Sequence, residues 1–532
     1  MTTNTSVLII GGSLNGLSAA LLLAHQNVDC VLVERHPHTS IQYKFSGISN
    51  RSMEIYRSVG IEQEIRQQRT RDQRANLVLR AKNLADPNVS LGEQAWPDMN
   101  DISPTTAAEC EQDRLEPILK ANAERHGADV RFNTELMDFV QDAQGITARI
   151  RDQATQAEET VYASYLIIAD GVNGNSREKI GVGRHGPGVL QHWMNVIFET
   201  DMEPVVNGQY FTAALLQDIN GTLVPRDDSG RWSMSVQYFP DHGEGPEDFN
   251  DEHCLQLIRA GVGREDVKAR IVDARKWEVA AYVADRFSEG RAFIIGDAAH
   301  VMPPTGGLGG NTGIHDAHNL AWKLASVING SAGPRLLDTY DSERRPVAEH
   351  TLAQALSRLQ AWFKDPNKKL PPAVKIVEDK NVIFGYVYPS GALINEKGFS
   401  TIEAFEDPRM PSGCPGSRAA HLVVERNGER LSTIDICNGH WVLFAGPSGG
   451  KWVEAARGLH LSSKLGLNCY QFGPDEDLQD IDNCWSSAYG VSEEGAILIR
   501  PDGFIAWRAH GASAQPKTNL QNVLALLTFQ NS

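Results

Sequence analysis

The chain has 532 residues, too many for one hydrophobic core, so two or three domains are expected. Its 67 acidic residues against 50 basic ones give a net charge of −17, which argues against a nucleic-acid partner and for a soluble protein. Seven cysteines, Cys30, Cys110, Cys254, Cys414, Cys437, Cys469 and Cys484, are scattered without a C-x-x-C, which suggests reduced thiols in a cytoplasmic protein and no metal site. No apolar run approaches the length of a membrane span, and residues 1–5 are polar with a strand directly after them, so neither a signal peptide nor an anchor is read.

Taken in order, Ser6 to Ile10 is a short apolar strand, followed by Gly11-Gly12-Ser13-Leu14-Asn15-Gly16 and a helix through about His25. A second strand, Cys30 to Val33, delivers Glu34, which lies about as far beyond the glycine loop as a ribose-binding carboxylate belongs. The combination reads as a βαβ dinucleotide fingerprint with one departure, because Ser13 stands where the middle glycine is usual. A hydroxymethyl group should then face the pyrophosphate, where the serine N–H can still donate. Arg35 is placed to meet the adenine or its ribose. Tyr43 to Arg51 is a polar segment leading into a helix with Met53, Ile55, Tyr56 and Val59, and Gln112 opens a helix running to about His126. Val130 to Phe132, Ile146 to Ile150 and Val161 to Ala169 read as strands, the last ending at Asp170-Gly171.

From Gln191 to about Tyr282 the pattern becomes strand-like. In Arg231 to Phe239, Trp232, Met234, Val236 and Tyr238 alternate with polar residues, the period of a sheet with two different faces. Arg291 to Ala325 then reads as strand, turn and helix. Ala292 to Ile295 ends at Gly296-Asp297, a carboxylate beyond a buried parallel strand that can accept from sugar hydroxyls. Pro303-Pro304 stiffens the chain, and Gly306, Gly307, Gly309 and Gly310 allow backbone to approach a flat ligand. The spacing of Ile314, Ala317, Leu320, Ala321 and Leu324 predicts a helix with Asn311 or Thr312 at its cap. Such a helix start favours a ligand that becomes anionic, such as a reduced flavin. His300, His315 and His318 read as structural. A separate module is expected after the Pro/Gly-rich stretch near Pro411, with strands at His421 to Glu425 and Trp441 to Phe444 and a hairpin from Ala496 to Arg508 turning at Pro501-Asp502-Gly503. GPSGGKW at Gly446 to Trp452 is set aside as a phosphate loop, because its spacing is wrong and tryptophan replaces the magnesium-binding hydroxyl. GRHGPG at Gly183 to Gly188 is likewise set aside.

GDAAH followed by PPTGGLGGNTGIHDAHNLAWKLA resembles the second flavin motif of group A FAD-dependent aromatic hydroxylases, the family of para-hydroxybenzoate and phenol hydroxylases. The GGSL start and Gly385 to Ser390 resemble its polyketide-hydroxylating branch. The resemblance implies an α/β fold: a Rossmann-like FAD-binding domain (1–184 and 283–360), an inserted mostly antiparallel substrate domain (185–282 and 361–405) and a thioredoxin-like C-terminal domain (406–532). It places Lys44, where the family has arginine, against FAD and the nicotinamide, and Gln112 against the flavin ribityl or pyrophosphate. IIADGVNGNSR matches the family's DG motif, with Asp170 serving FAD and NAD(P)H and Arg177 at the motif's arginine, while Gly174 replaces its usual serine. The cofactor set comprises Gly11, Gly12, Ser13, Leu14, Asn15, Gly16, Glu34, Arg35, Lys44, Gln112, Asp170, Asp297, Pro304, Gly307, Gly309, Gly310 and Asn311, with Tyr210 a candidate to bond a substrate phenol. Leu336 to Pro346 resembles the closing helix that braces the FAD domain. By resemblance, NADPH or NADH reduces FAD transiently, O2 adds to give a C4a-hydroperoxyflavin, and a phenolic, polycyclic or polyketide-like ring is hydroxylated by a monomer or homodimer. The alternatives are a Baeyer–Villiger or antibiotic-inactivating oxygenase, or a weakly reducible FAD protein that sequesters a reactive intermediate.

Overall fold

The structure, a computed structural model, describes residues 2–42, 45–68, 78–91, 98–200, 211–226, 230–362, 370–396, 404–437 and 439–530. Its first sheet runs in the order Ser288–Glu289, Ala292–Ile294, Glu158–Ile168, Thr2–Ile10, Cys30–Val33 and Asp129–Arg131. The strands from Ala292–Ile294 to Asp129–Arg131 pair in parallel, as crossover connections require. Val7, Leu8, Ile9, Leu166, Ile167 and Ile294 are fully or almost fully buried, the continuous apolar signature of a sheet covered on both faces. An antiparallel extension, Thr134–Gln141 and Ile146–Asp152, is attached to the long strand Glu158–Ile168.

The second sheet follows the order His300–Val301, Arg270–Ala284, Arg184–Glu199, Arg231–Tyr238, Gly221–Pro225, Ala213–Leu216, Val78–Ala81 and Ser90–Leu91. All of its pairings are antiparallel except that between Ala213–Leu216 and Val78–Ala81. One face carries Met194, Val196, Phe198, Trp232, Met234 and Tyr238, packed on Cys254, Ile258 and Val262 of the helix Asp251–Val262. The alternate residues turn toward the first domain, where Asn195 receives Ser233 Oγ at 2.7 Å and Ser235 Oγ at 3.1 Å and donates to Gln42 at 2.9 Å. GRHGPG proves to be part of this sheet, absorbed by an irregular register between His185 and Gly188.

The C-terminal residues form a four-stranded sheet ordered Asn468–Gln471, Val442–Ala445, Ala496–Ile499 and Ile505–Ala509, with the helices Gly450–Arg457 and Pro516–Thr528 packed on it. This is the thioredoxin-like arrangement expected, and GPSGGKW is its strand-to-helix turn. The module docks through buried charge. Arg500 gives both Nη atoms to Glu343 at 2.8 Å, Lys323 Nζ reaches the same carboxylate at 2.8 Å, and Asn319 donates to Glu343 at 2.7 Å and Asp502 at 3.1 Å. Burial alone would raise the Asp502 carboxyl, yet Arg500 and its neighbours hold it down to about 2. Removing one member of such a cluster leaves the rest as uncompensated buried charge. Replacing Arg500 with Ala should therefore cost about 3–5 kcal/mol in chemical denaturation of the apoprotein.

Candidate functional site

The glycine loop after Thr2–Ile10 is shaped by contacts that exclude a side chain. Gly11 has φ +103°, and a Cβ there would lie 2.3 Å from the Ala169 carbonyl oxygen; one on Gly16 would lie 1.9 Å from the Gly11 oxygen. Gly12 N–H donates to Glu34 Oε2 at 2.7 Å, which ties the loop to the end of the second strand, and Glu34 Oε1 accepts from His36 N–H at 2.9 Å. Arg35 is exposed beside it. Ser13 is the N-cap of the helix Leu14–His25 but makes no side-chain capping bond. Its hydroxyl does not turn to the phosphate position, as the sequence led us to expect: it donates to Glu116 Oε1 at 2.7 Å and accepts from Gln112 Nε2 at 2.9 Å. Gln112 Nε2 also reaches Glu116 at 2.6 Å, so both amide hydrogens are committed and its carbonyl oxygen is what it can offer a ligand.

The second flavin motif supplies a carboxylate and a helix start. Every residue from Ala292 to His300 is buried except Asp297, which is exposed. Its turn depends on Gly296 at φ +59°, where a Cβ would come within 2.0 Å of Asn15 Nδ2. The next helix begins at Leu308, three residues before the expected cap, because Gly306 and Gly307 both adopt left-handed backbone, with φ +84° and +63°. Gly307 is the N-cap and offers no side-chain bond, so the first-turn N–H groups are left to a ligand. Asn311 and Thr312 lie inside the helix. Thr312 Oγ1 donates to Leu308 O at 2.8 Å. Asn311 accepts from Ser49 N–H at 2.9 Å and Ser52 Oγ at 2.7 Å, and donates to Gly307 O at 2.8 Å and Gly47 O at 3.0 Å. The asparagine thus fastens the strand Gly47–Ile48 and the helix Asn50–Ser58 to the turn. A Cβ on Gly310 would lie 2.6 Å from the Phe45 ring, whereas one on Gly309 would meet Met302 at an ordinary 3.4 Å. Behind the turn lies a small cleft lined by Gly306, Leu308, Asn311, His315, Val382 and Tyr386.

Asp170 follows the strand Glu158–Ile168 and accepts from Ser176 N–H at 3.2 Å, while its Oδ1 has no partner among the described residues. A Cβ on Gly174 would lie 2.1 Å from the Asp170 carboxyl carbon, so a side chain there would have to displace that carboxylate. Arg177 is buried and donates to Val182 O at 2.5 Å, bracing the turn. His300 and His315 have structural partners: His300 bonds Asp316 at 2.7 Å, and His315 lies 3.2 Å from Ser52 Oγ. The closing helix Thr339–Trp362 braces the same region, with Tyr340 OH on Ile294 O at 2.8 Å and Arg344 on Asp316 at 2.8 Å. Arg226, which the sequence did not single out, is buried at the end of Gly221–Pro225 and bonds Glu111 at 2.8 and 3.0 Å and Ile41 O at 3.2 Å. It links the second sheet to the N-terminus of the helix carrying Gln112. Lys44 and Tyr210 lie outside the described residues. Of the groups predicted from sequence, the structure therefore brings the Gly11–Gly16 loop, Glu34 and Gln112 together at one end, and Asp297, Pro304 and the Gly307–Asn311 turn at the other.

These residues fit FAD. The glycine loop and its uncapped helix can receive a pyrophosphate, Glu34 a ribose, Asp297 a polyol chain, and the uncapped start at Leu308 the electron-rich edge of a reduced ring. Residues 4–355 match the model of an FAD binding domain, and residues 412–527 match that of an aromatic-ring hydroxylase C-terminal domain. The chain is 39% identical to tetracenomycin A2 monooxygenase-dioxygenase from Streptomyces glaucescens, covering 98% of this chain and 97% of that protein. It is 38% identical to aklavinone 12-hydroxylase RdmE from Streptomyces purpurascens, covering 97% and 98%. Among solved structures it is similar to aklavinone-11 hydroxylase in a ternary complex with FAD and aklavinone, with a TM-score of 0.91, 36% identity and 99% of each chain covered. Among the described residues no helix is long and apolar enough to cross a membrane.

Burial raises the Asp170 carboxyl above its ordinary value, more than its hydrogen bonds to Ser176 lower it. A carboxyl with a raised native pKa binds more protons folded than unfolded across the window between the two values, so its contribution to stability declines as pH rises through that window. Asp170→Asn should accordingly raise the melting temperature of the apoprotein at pH 7, and the gain should shrink as the pH falls through the raised native value toward about 4 and be gone below it. Differential scanning fluorimetry across that range checks the sign.

Proposed function

The chain belongs to the FAD-dependent aromatic-ring hydroxylases, and from that membership we propose that it uses NADPH or NADH and O2 to hydroxylate a phenolic, polycyclic or polyketide-like substrate. It is an FAD-dependent monooxygenase by family. The observation that carries the finer reading is the pair of uncapped helix starts, at Leu14 and Leu308, with Glu34 and the exposed Asp297 beside them. In this reading residues 1–184 and 283–360 hold FAD, residues 185–282 and 361–405 hold substrate, and residues 406–532 form the appended module. Bound FAD supplies two-electron reduction by the nicotinamide and activation of O2.

The chain's own part is grip, orientation and exclusion of water. The Gly11–Gly16 loop receives the pyrophosphate, and Glu34 and Arg35 the adenosine. Gln112 and Asp297 receive the ribityl chain, while Asp170 stands where FAD and nicotinamide meet. The backbone from Pro304 to Asn311 faces the flavin, where the partial positive charge of the helix start favours the reduced, anionic ring. Because the Asn311 side chain is held by Ser49, Ser52, Gly47 and Gly307, it acts on the ring by keeping the turn rigid. The inward face of the second sheet, with Trp193, Asn195 and Ser233, forms the roof over the substrate; Trp193 stacks on Trp277 at 5.8 Å, a flat apolar surface suited to fused rings. The similarity to an aklavinone 12-hydroxylase and a tetracenomycin A2 monooxygenase-dioxygenase supports the polyketide-like assignment.

Loss of one charge-assisted bond costs about 10-fold or more in affinity, so Asp297→Ala should lose most of its FAD on purification, whereas fully yellow Asp297→Ala protein would remove that residue from the site. In anaerobic stopped-flow with a panel of polycyclic phenols, NADPH or NADH should bleach the flavin, and with 18O2 one labelled oxygen should appear on an aromatic carbon. A flavin that neither nucleotide bleaches with any compound of the panel would end the monooxygenase reading, and a ring-expanded lactone would replace hydroxylation by Baeyer–Villiger chemistry.

A further inference from the structure

Serine is a favoured N-cap because its side-chain oxygen accepts from an N–H two or three residues on. At a phosphate-binding helix that preference is a liability, since the cap consumes a donor that the phosphate needs. Where the loop carries glycine the conflict does not arise, but here Ser13 occupies the N-cap of Leu14–His25 with extended backbone and still makes no capping bond. The cause lies on another helix. Ser13 Oγ donates to Glu116 Oε1 at 2.7 Å and accepts from Gln112 Nε2 at 2.9 Å. Glu116 and Gln112 are four residues apart on Gln112–Arg125, so both project from one face, and Gln112 holds Glu116 Oε1 at 2.6 Å. The other carboxylate oxygen accepts from Ser40 N–H at 2.8 Å, and Glu116 is fully buried, so its position is fixed from both sides.

We propose that Glu116 is a positioning residue for FAD: it draws the Ser13 hydroxyl out of the capping position and so leaves the first-turn N–H groups of Leu14–His25 to the pyrophosphate. The inference rests on the pyrophosphate lying in the Gly11–Gly16 loop, as proposed above. Ser13 and Glu116 then form a matched pair. Without Glu116, the serine hydroxyl turns back onto the helix and competes with phosphate; without Ser13, Glu116 has nothing to withhold.

The test is a double-mutant cycle on FAD affinity, read by quenching of FAD fluorescence on titration into apoprotein, for Ser13→Gly, Glu116→Ala and the combined variant, with apoprotein melting temperatures alongside. Glu116→Ala should weaken FAD binding about 10-fold or more with Ser13 present, and by less than about 3-fold in the Ser13→Gly background. An equal loss in both backgrounds, or no loss in either, overturns the proposal, because a merely structural glutamate does not depend on the residue at 13. If Glu116→Ala does not fold, Glu116→Gln enters the same cycle. Ser13→Asp examines the placement separately, since a carboxylate at that cap repels a phosphate there. FAD affinity unchanged in Ser13→Asp means that the pyrophosphate binds elsewhere, whereas strong loss in Ser13→Asp with an additive cycle retains the placement and rejects the role of Glu116.

Discussion

The arrangement depends on how closely two helices approach each other. Asn15, in the first turn of Leu14–His25, fills the space that a Cβ on Gly296 or Gly313 would need, at 2.0 Å from one and 2.4 Å from the other. The approach places two helix starts against one ligand volume, one suited to a phosphate and the other to an anionic ring. It also sets Asp297 at the lip between them. A methyl group at either glycine would displace the Asn15 side chain from between the two motifs. Asn15 Oδ1 is buried and has no hydrogen-bond partner among the described residues.

The remaining modules act on these two helices. The second sheet reaches Gln42 through Asn195, and Ile41 and the start of the helix Gln112–Arg125 through Arg226, so the proposed substrate roof and flavin cradle share their supports. The C-terminal module reaches the helix Leu308–Ile328 from behind. Asn319 and Lys323 of that helix meet Glu343, Arg500 and Asp502 in an ion cluster without solvent exposure. Charged groups so placed are poor sources of stability compared with a packed apolar contact, but they permit few alternative geometries. The module's lack of a C-x-x-C fits such a role: its strand-to-helix turn is Gly446 to Gly450, and what it presents to the rest of the chain is the hairpin around Asp502.

Much of the frame was legible in the sequence because it rests on local periodicity. The glycine loop and helix to His25, the strand Cys30–Val33, and the strand Ala292–Ile294 with its terminal carboxylate stand where the apolar patterns put them, whereas the first strand begins at Thr2, four residues before the apolar run Ser6 to Ile10. The helix after Pro304 was recognised, but its start was displaced, because an apolar pattern cannot show that two consecutive glycines take left-handed backbone and begin the helix early. Thr134–Gln141 escaped notice since its inward and outward residues do not alternate cleanly, and the glycines and proline of residues 183–188 concealed the beginning of the long strand Arg184–Glu199. Glu116 and Arg226 were invisible for a different reason. Each acts on a partner more than a hundred residues away, and nothing in their own neighbourhood marks a buried charge.

A crystal structure of the FAD complex tests the central claim most directly. It should show pyrophosphate oxygens within hydrogen-bond distance of the first-turn N–H groups of Leu14–His25, the ribityl chain on Asp297, and the flavin ring against the start of Leu308–Ile328, with the Asn311 side chain still on Ser49 and Gly47. Cofactor bound away from both helix starts, or an Asn311 side chain released from Ser49 and Gly47 to hold the ring itself, would contradict the account.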